Sequence, residues 1–422
     1  MRKSLMFSVT CWLVRAGLGI GVAMGAAVPA SADMVTDWNA TTAKTVAPLT
    51  PPPKPQYLAA IVHAAIYDAV NAIDRGHQVY NVDITAPAGA SIEAAAAAAA
   101  HGALVKLVPD QQVALDAALA SSLKALPDGQ AKTDGIAVGR EAAAKTVAAR
   151  NADGRDAKVP YEPGSAPGSW QPTPPYMSPA SGVQFGAVKP FFLKSIDQFA
   201  LPGPLAITSA EYAKEINEVR ELGSADSTKR TAAQTAIAIF WTDNPTHIWG
   251  EVAQAASKEH KLSVADNARL FALMQMAMAD ASLAAWSAKY KYNLMRPITA
   301  IRDAAAQGNP GIAADQSWEP LIGTPPHPDY PSGHTVDAGA AVTVLQSFFD
   351  SDKVTVDVIY PGRYGTIRHW HSFSEIVREV ENARVWGGIH TRTADTHGTA
   401  VGRQIAEYAF ANFMKPVNRR ER

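Results

Sequence analysis

The chain has 422 residues, with 38 Lys and Arg against 39 Asp and Glu and a formal net charge of -1. That balance excludes a general electrostatic attraction to nucleic acid or acidic membranes, so any anion site has to be built locally from a few side chains. Hydrophobic residues make up 47% of the chain and fall in runs of helical period, and beyond the N-terminus no run is long enough to span a bilayer.

Residues 1–32 read as an export signal. Met1-Arg2-Lys3 gives the positive start, the apolar run from Leu5 to Val28 follows, and Ala30-Ser31-Ala32 offers a small-residue cleavage site before Asp33. Arg15 interrupts the run and, with the small-residue exit, favours cleavage over a retained anchor. Cys11, the only cysteine, leaves with this segment, so the mature chain can form neither a disulfide nor a thiolate metal site. The expected product is exported, periplasmic or secreted, without a stable membrane span.

A first helical region is expected over 33–204. Thr50 to Gln56, TPPPKPQ, reads as an extended lead-in. From Tyr57 to Gly76 the apolar residues Leu58, Ile61, Val62, Ala65, Ile66, Ala69, Val70 and Ile73 repeat at three and four positions, one helical face that Gly76 can close. Alanine-rich helix follows from Ile92 to Val108, then helices over Gln111 to Leu126 and Ala131 to Arg150. His63 and His101 within them are ordinary helix residues rather than ligands. Asn151 to Pro204 breaks the pattern with Pro, Gly and scattered aromatics, including Trp170, Tyr176, Phe185, Phe191 and Phe192. It reads as a segment crossing the fold, in position to cover a site, rather than as a tether.

A second helical region is expected over 205–422. Thr208-Ser209-Ala210-Glu211 has the pattern of a capping box and opens a helix that Gly223 ends. Another helix spans Ser227 to Trp241, the segment TDNPTHIW turns the chain, and the longest helical pattern runs from Val264 to Met295. Met274, Met276, Met278 and Leu283 on it are core residues. Val and Ile are scattered, so little sheet is expected. The class is all-α, antiparallel helices in one or two bundles joined by long Pro/Gly-rich loops.

Three stretches carry chemistry. Tyr330 to Thr335, YPSGHT, reads as a tight turn that opens a helix. Helix N-termini leave backbone N–H groups free and carry partial positive charge, which suits an oxyanion. Ser332 adds a hydroxyl, Gly333 lets the backbone approach closely, and His334 can give or take a proton near neutral pH. KYKYNLMRP, from Lys289 to Pro297, places two cations about two helical turns apart, and Pro297 turns Arg296 out of the helix. Alone, that piece reads as a solvated basic helix end favoured by the macrodipole. A helix capped over Ser372 to Glu375 carries Arg384 to Gly387-Gly388, followed by His390, Arg392 and Asp395. Together, Lys289, Arg296 and Arg384 form a set of cations that would repel unless a multiply charged oxyanion sat among them.

The order K-x6-R-P, then P-S-G-H, then R-x5-H with a nearby aspartate resembles the vanadium haloperoxidase and type 2 phosphatidic acid phosphatase superfamily, in its soluble, secreted bacterial form. The likeness is strongest from Lys289 to Asp395 and extends less specifically upstream through SWQPTPP at Ser169 and the Ser227 to Trp241 helix. It implies that Lys289, Arg296, Ser332, Gly333 and Arg384 hold the equatorial oxygens of vanadate or phosphate. It further implies that His390 is the axial ligand of the metal or a phosphoryl nucleophile, and that His334 is the acid/base. Two departures stand out: Ala383 replaces the serine before Arg384, and Asp395 follows His390 with four intervening residues instead of three.

The same cradle fits two reactions. With vanadate as cofactor, hydrogen peroxide and a halide are the substrates, and Lys289 polarises the activated peroxide. With no cofactor, a phosphomonoester is the substrate of a soluble acid phosphatase, attacked by His390 with His334 protonating the leaving alkoxide. His327, seven residues before His334, and Trp286, one turn before Lys289, resemble the haloperoxidase pocket and tilt the reading to halide oxidation. A third class, oxyanion capture without turnover, does not require two histidines.

Overall fold

The computed structural model describes residues 33–359 and 367–417. The expected export signal, with Cys11, lies outside the described residues. Through 33–150, helices follow the apolar period: α1 (Met34–Val46), α2 (Lys54–Asp74), α3 (Ile92–Leu107), α4 (Gln112–Lys124) and α5 (Gln130–Ala148). The first was not legible as a helix. Asp33 caps it by accepting from the Val35 and Thr36 amides at 2.9 and 3.0 Å. α2 starts three residues earlier than its apolar pattern, because Pro55 is compatible with a first turn. It ends at Arg75, which takes the left-handed conformation (φ 53) in place of Gly76 while its guanidinium donates to the Ile84 carbonyl at 2.8 Å.

The crossing segment has only two short 3-10 turns, Val183–Ala187 and Ile196–Gln198. Asp280 pins it by accepting from the amides of Phe191, Phe192 and Leu193 at 2.7, 2.7 and 3.1 Å.

Beyond it come α6 (Ala210–Leu222), α7 (Ala232–Phe240), α8 (Pro245–His260), α9 (Val264–Tyr292), α10 (Pro297–Arg302), α11 (Gly333–Phe349), α12 (Phe373–Trp386) and α13 (Arg392–Asn412). The α6 cap is Ser209 alone, which accepts from Tyr212 N, so the reciprocal box expected from Thr208 is not formed. α7 begins at a true capping box of Thr231 and Gln234, later than expected, because Arg230 holds the preceding turn through the Leu222 and Ser224 carbonyls at 2.5 and 2.7 Å. The segment read as a turn at TDNPTHIW opens α8, with Asn244 as cap and Pro245 in the first turn. α9 stops at Tyr292, where Asn293 turns left-handed. Among the described residues one two-stranded antiparallel sheet, β1 (Lys353–Ile359) with β2 (Ile367–Ser372), pairs Val356 with Trp370. Its sequence signal, alternating Val354, Val356 and Val358, is short and was passed over; all three side chains are buried.

One apolar cluster runs from α1, α2 and α3 into α9, α11 and α13. α9 lies buried nearly throughout. α11 and α13 cross so closely that a Cβ on Gly402 would sit 2.1 Å from the Val336 carbonyl oxygen and one on Gly339 2.2 Å from that of Thr399. That contact brings the start of α11 against the start of α13. Among the described residues no helix is long and apolar enough to cross a membrane.

Candidate active site

The stretch 327–332 is stitched in place before α11 begins. Asp329 N donates to the Leu294 carbonyl and Ser332 N to that of Ala394, both at 3.0 Å. Lys289, buried at the end of α9, donates from Nζ to the Pro328 and Asp329 carbonyls at 2.9 and 3.0 Å and also to that of Pro331. Its three protons are therefore spent on backbone, which the spacing of KYKYNLMRP did not reveal. Arg296 caps the start of α10 and bridges two loops: Nε donates to the His327 carbonyl at 2.7 Å and Nη1 to that of Ile389 at 2.6 Å. The reading of these cations as a solvated helix end is overturned, since both are fully buried.

In the third stretch the Glu375 carboxylate accepts from His371 N instead of closing the box expected with Ser372. Ser372 caps α12, Arg384 lies in its last turn, and Gly388 (φ 80) breaks the chain so that His390 faces Arg296. Arg384 donates from Nη1 to the Trp241 carbonyl at 2.6 Å, while its buried Nε has no partner.

His390 donates from Nδ1 to Asp329 Oδ1 at 2.5 Å, and Asp329 Oδ2 accepts from the Thr391 hydroxyl at 2.9 Å. Burial, reinforced by Arg296 and Lys289, lowers the His390 pKa well below its ordinary value. Burial raises the Asp329 carboxyl, while Arg296 and Lys289 pull it back. The pair is thus a neutral imidazole on a carboxylate, with the proton on Nδ1 and the lone pair on Nε2, where Arg296 Nη1 lies 3.3 Å away. Asp329 was missed in the sequence, although it sits inside the quoted stretch PPHPDYPSGH. Asp395, whose spacing put its role in question, is buried beside Ser332 and Arg384 and does not orient His390 or line the cavity. Burial, opposed by the Ser332 hydroxyl and Arg384, pushes its carboxyl well above the usual range.

A cavity of about 390 Å³ opens in front of these groups, walled by Gly333, His334, Arg384, His390, Trp286 and His327. Leu49, Pro52, Pro55, Pro245 and Pro325 add apolar lining. The crossing segment does not cover the site as expected. It buttresses Trp286 from behind, with Ser181 O accepting from Trp286 Nε1 at 3.4 Å and from the Tyr290 hydroxyl at 2.6 Å. Trp286 and His327 lie 5.1 Å apart, centroid to centroid. Arg296 Nη2 donates to His327 Nδ1 at 3.0 Å, so the neutral His327 ring carries its proton on Nε2. Burial and Arg384 lower the His334 pKa well below the ordinary value, against the Asp243 backbone carbonyl, which bonds this ring and raises it.

An oxyanion fits here. Arg384 Nε and His334 Nε2 are buried without hydrogen-bond partners, and Ser332 Oγ has only the Asp395 carboxyl beside it, with no hydrogen bond closed between them. Ser332 is the N-cap of α11 but makes no side-chain cap bond. A Cβ on Gly333 would come within 3.3 Å of the Trp286 ring, so glycine there lets that ring pack close against the start of α11.

Buried arginines and a buried lysine thus gather with three imidazoles at an open helix N-terminus inside a helical bundle, an arrangement whose chemistry suits an oxyanion. A family model described as the VCPO second helical-bundle domain matches residues 269–419. The chain is 26% identical over 302 residues to the vanadium chloroperoxidase of Curvularia inaequalis, covering 56% of this chain and 48% of that one. It is 28% identical over 116 residues to a vanadium-dependent bromoperoxidase of Corallina officinalis, covering 25% of this chain and 19% of that one. The chain thus spans about half, or less, of the length of these curated relatives. The crystal structure of the first bacterial vanadium-dependent iodoperoxidase superposes with a TM-score of 0.78 at 26% identity, covering 91% of this chain and 98% of that one. The chain is thus similar in sequence over residues 269–419 to the VCPO second helical-bundle domain and in fold, over most of its length, to a bacterial vanadium-dependent iodoperoxidase.

Proposed function

We propose that the protein is an exported vanadate-dependent haloperoxidase that oxidises a halide with hydrogen peroxide. The observation that carries the reading is a cavity in which His390, its Nε2 lone pair facing Arg296, shares a wall with the packed pair Trp286 and His327. Relatives named as chloroperoxidase, bromoperoxidase and iodoperoxidase support it.

Bound vanadate supplies a Lewis-acid centre at which peroxide is activated towards halide. Ser332, the Gly333 amide, Arg384 and Arg296 are the groups to hold its oxygens, and Lys289 joins them by turning one proton away from the backbone. His390 offers Nε2 as the nitrogen ligand because Asp329 keeps the proton on Nδ1. His334 takes or gives a proton at Nε2, its other nitrogen being held at the Asp243 carbonyl. His327 presents an Nε2–H donor, and Trp286 walls the cavity against water.

Purified protein incubated with orthovanadate tests the reading. Peroxide-dependent oxidation of bromide appearing only after loading is the expected result. Phosphomonoester hydrolysis without vanadate, and inhibited by it, would replace this reading with the acid phosphatase that uses His390 as nucleophile.

A further inference from the structure

Asp337, one turn beyond His334 on α11, is buried on the wall of the same cavity and has no part in the assignment above. Its Oδ1 accepts from the Ser282 hydroxyl of α9 at 2.7 Å and its Oδ2 from Gln56 Nε2 of α2 at 3.1 Å. Both partners are neutral and both serve either protonation state. The buried Gln56 Oε1 has no partner, so a half-turn of that amide lets it accept from a protonated Asp337, and a hydroxyl both donates and accepts. α13, on another side of α11, meets it through Gly398, Thr399 and Gly402, none of them charged. The other ionisable groups on the cavity wall are Asp243, Arg384, His327, His334 and His390.

Halide oxidation consumes a proton. One halide ion, one hydrogen peroxide and one proton give one hypohalous acid and one water: the halide gives up two electrons, which the breaking O–O bond takes up. His334 faces that demand poorly equipped, since burial and Arg384 keep it neutral well below its ordinary pKa. We propose that Asp337 is the residue that stores this proton and passes it, through His334, to the departing oxygen. The inference rests on the haloperoxidase reading. Burial pushes the Asp337 carboxyl up to about 7, against the two hydrogen bonds that favour its charged form. Near neutral pH it is thus a source and a sink of protons, whereas an ordinary carboxylate is already empty. Asp337 acts through His334 and is a positioning residue in the proton path.

The test has two readouts. On the vanadate-free full chain labelled with 13C at aspartate carboxyls, NMR is expected to show, besides the raised carboxyls of Asp68, Asp280, Asp329 and Asp395, a signal titrating near 7 that is lost in Asp337→Asn and moved to higher pH in Ser282→Ala, which removes a donor to the charged form. The Ser282 variant identifies the signal even where Asp337→Asn fails to fold. On the reconstituted enzyme, Asp337→Asn is expected to bind vanadate as wild type does and to lose about 10- to 100-fold in kcat at neutral pH, with the deficit shrinking in acid and Asp337→Glu restoring activity. An Asp337 carboxyl that does not titrate between about pH 5 and pH 9, or an Asn variant with an unchanged pH profile, overturns Asp337's part alone. A reconstituted wild type that oxidises no halide at any pH overturns the haloperoxidase reading, and this use of the proton with it.

Discussion

Two helix pairs in this molecule are packed by the same device to opposite ends. α3 and α5 meet so closely that a Cβ on Gly139 would lie 2.3 Å from the Ala95 carbonyl oxygen, much as Gly402 lies against α11. The first pair is lined by the buried run Ala94 to Ala100, with Ala142 and Ala143 of α5, and buries no charge there. The second pair ends at Ser332, Gly333, Asp395 and the loop of His390, where charge is buried instead. Close small-residue packing therefore sets helix position, and the polar groups at one end of the second pair decide what that position is for. Burying such groups opposes stability unless each is bonded, so the surrounding apolar cluster has to hold the site together.

The largest break in that contrast comes from the site end. His390→Ala is expected to abolish vanadate retention, read as metal content after gel filtration, with the thermal melt little changed. Asp329→Asn should follow, weakening vanadate affinity about 10- to 100-fold, because the amide no longer holds the proton on Nδ1; equilibrium dialysis measures it.

Asp337 sharpens the comparison through stability. Its folded pKa of about 7 lies above the ordinary 3.8, so the folded chain binds a proton that the unfolded chain has lost. Its stabilising effect relative to the ionised form is full below the ordinary value and disappears as pH rises through the folded one. On the order of 4 kcal/mol is the upper bound of that loss. Asp337→Asn is expected to remove it, so the melting temperatures of variant and wild type should diverge in favour of the variant from acid to alkaline pH.

Adding one methyl to each helix pair comes next. Gly402→Ala and Gly139→Ala are each expected to cost about 1–3 kcal/mol in denaturant melts, but only the Gly402 variant should also lose vanadate affinity. The smallest effect belongs to the exposed α5 surface. Lys145→Ala removes a pair with Glu141 at 2.6 Å and should change stability by about 0.5 kcal/mol or less, leaving vanadate binding unaltered.

Much of this was open to reading from local pattern. The helical class, the start of α6 within a residue of its signal, the cap at Ser372, the break at Gly387-Gly388 and the opening of α11 at Ser332 each rest on neighbours within one turn of chain. α8 escaped because Pro245 punctuates like a turn, although proline is equally at home in a first helical turn. The strand pair escaped because seven residues of alternating valine are a weak signal beside long helical runs.

What the sequence by itself determined is the inventory: three stretches holding Lys289 and Arg296, Ser332 to His334, and Arg384 with His390, together with the helices that carry them. Only the tertiary structure decided the partners. Asp329 reaches His390 from 61 residues away, Gln56 reaches Asp337 from 281, and Lys289 turns its protons to the 328–331 backbone. Hydrogen bonds of this kind depend on which surfaces pack together, and periodicity along a chain carries no record of what lies across the core.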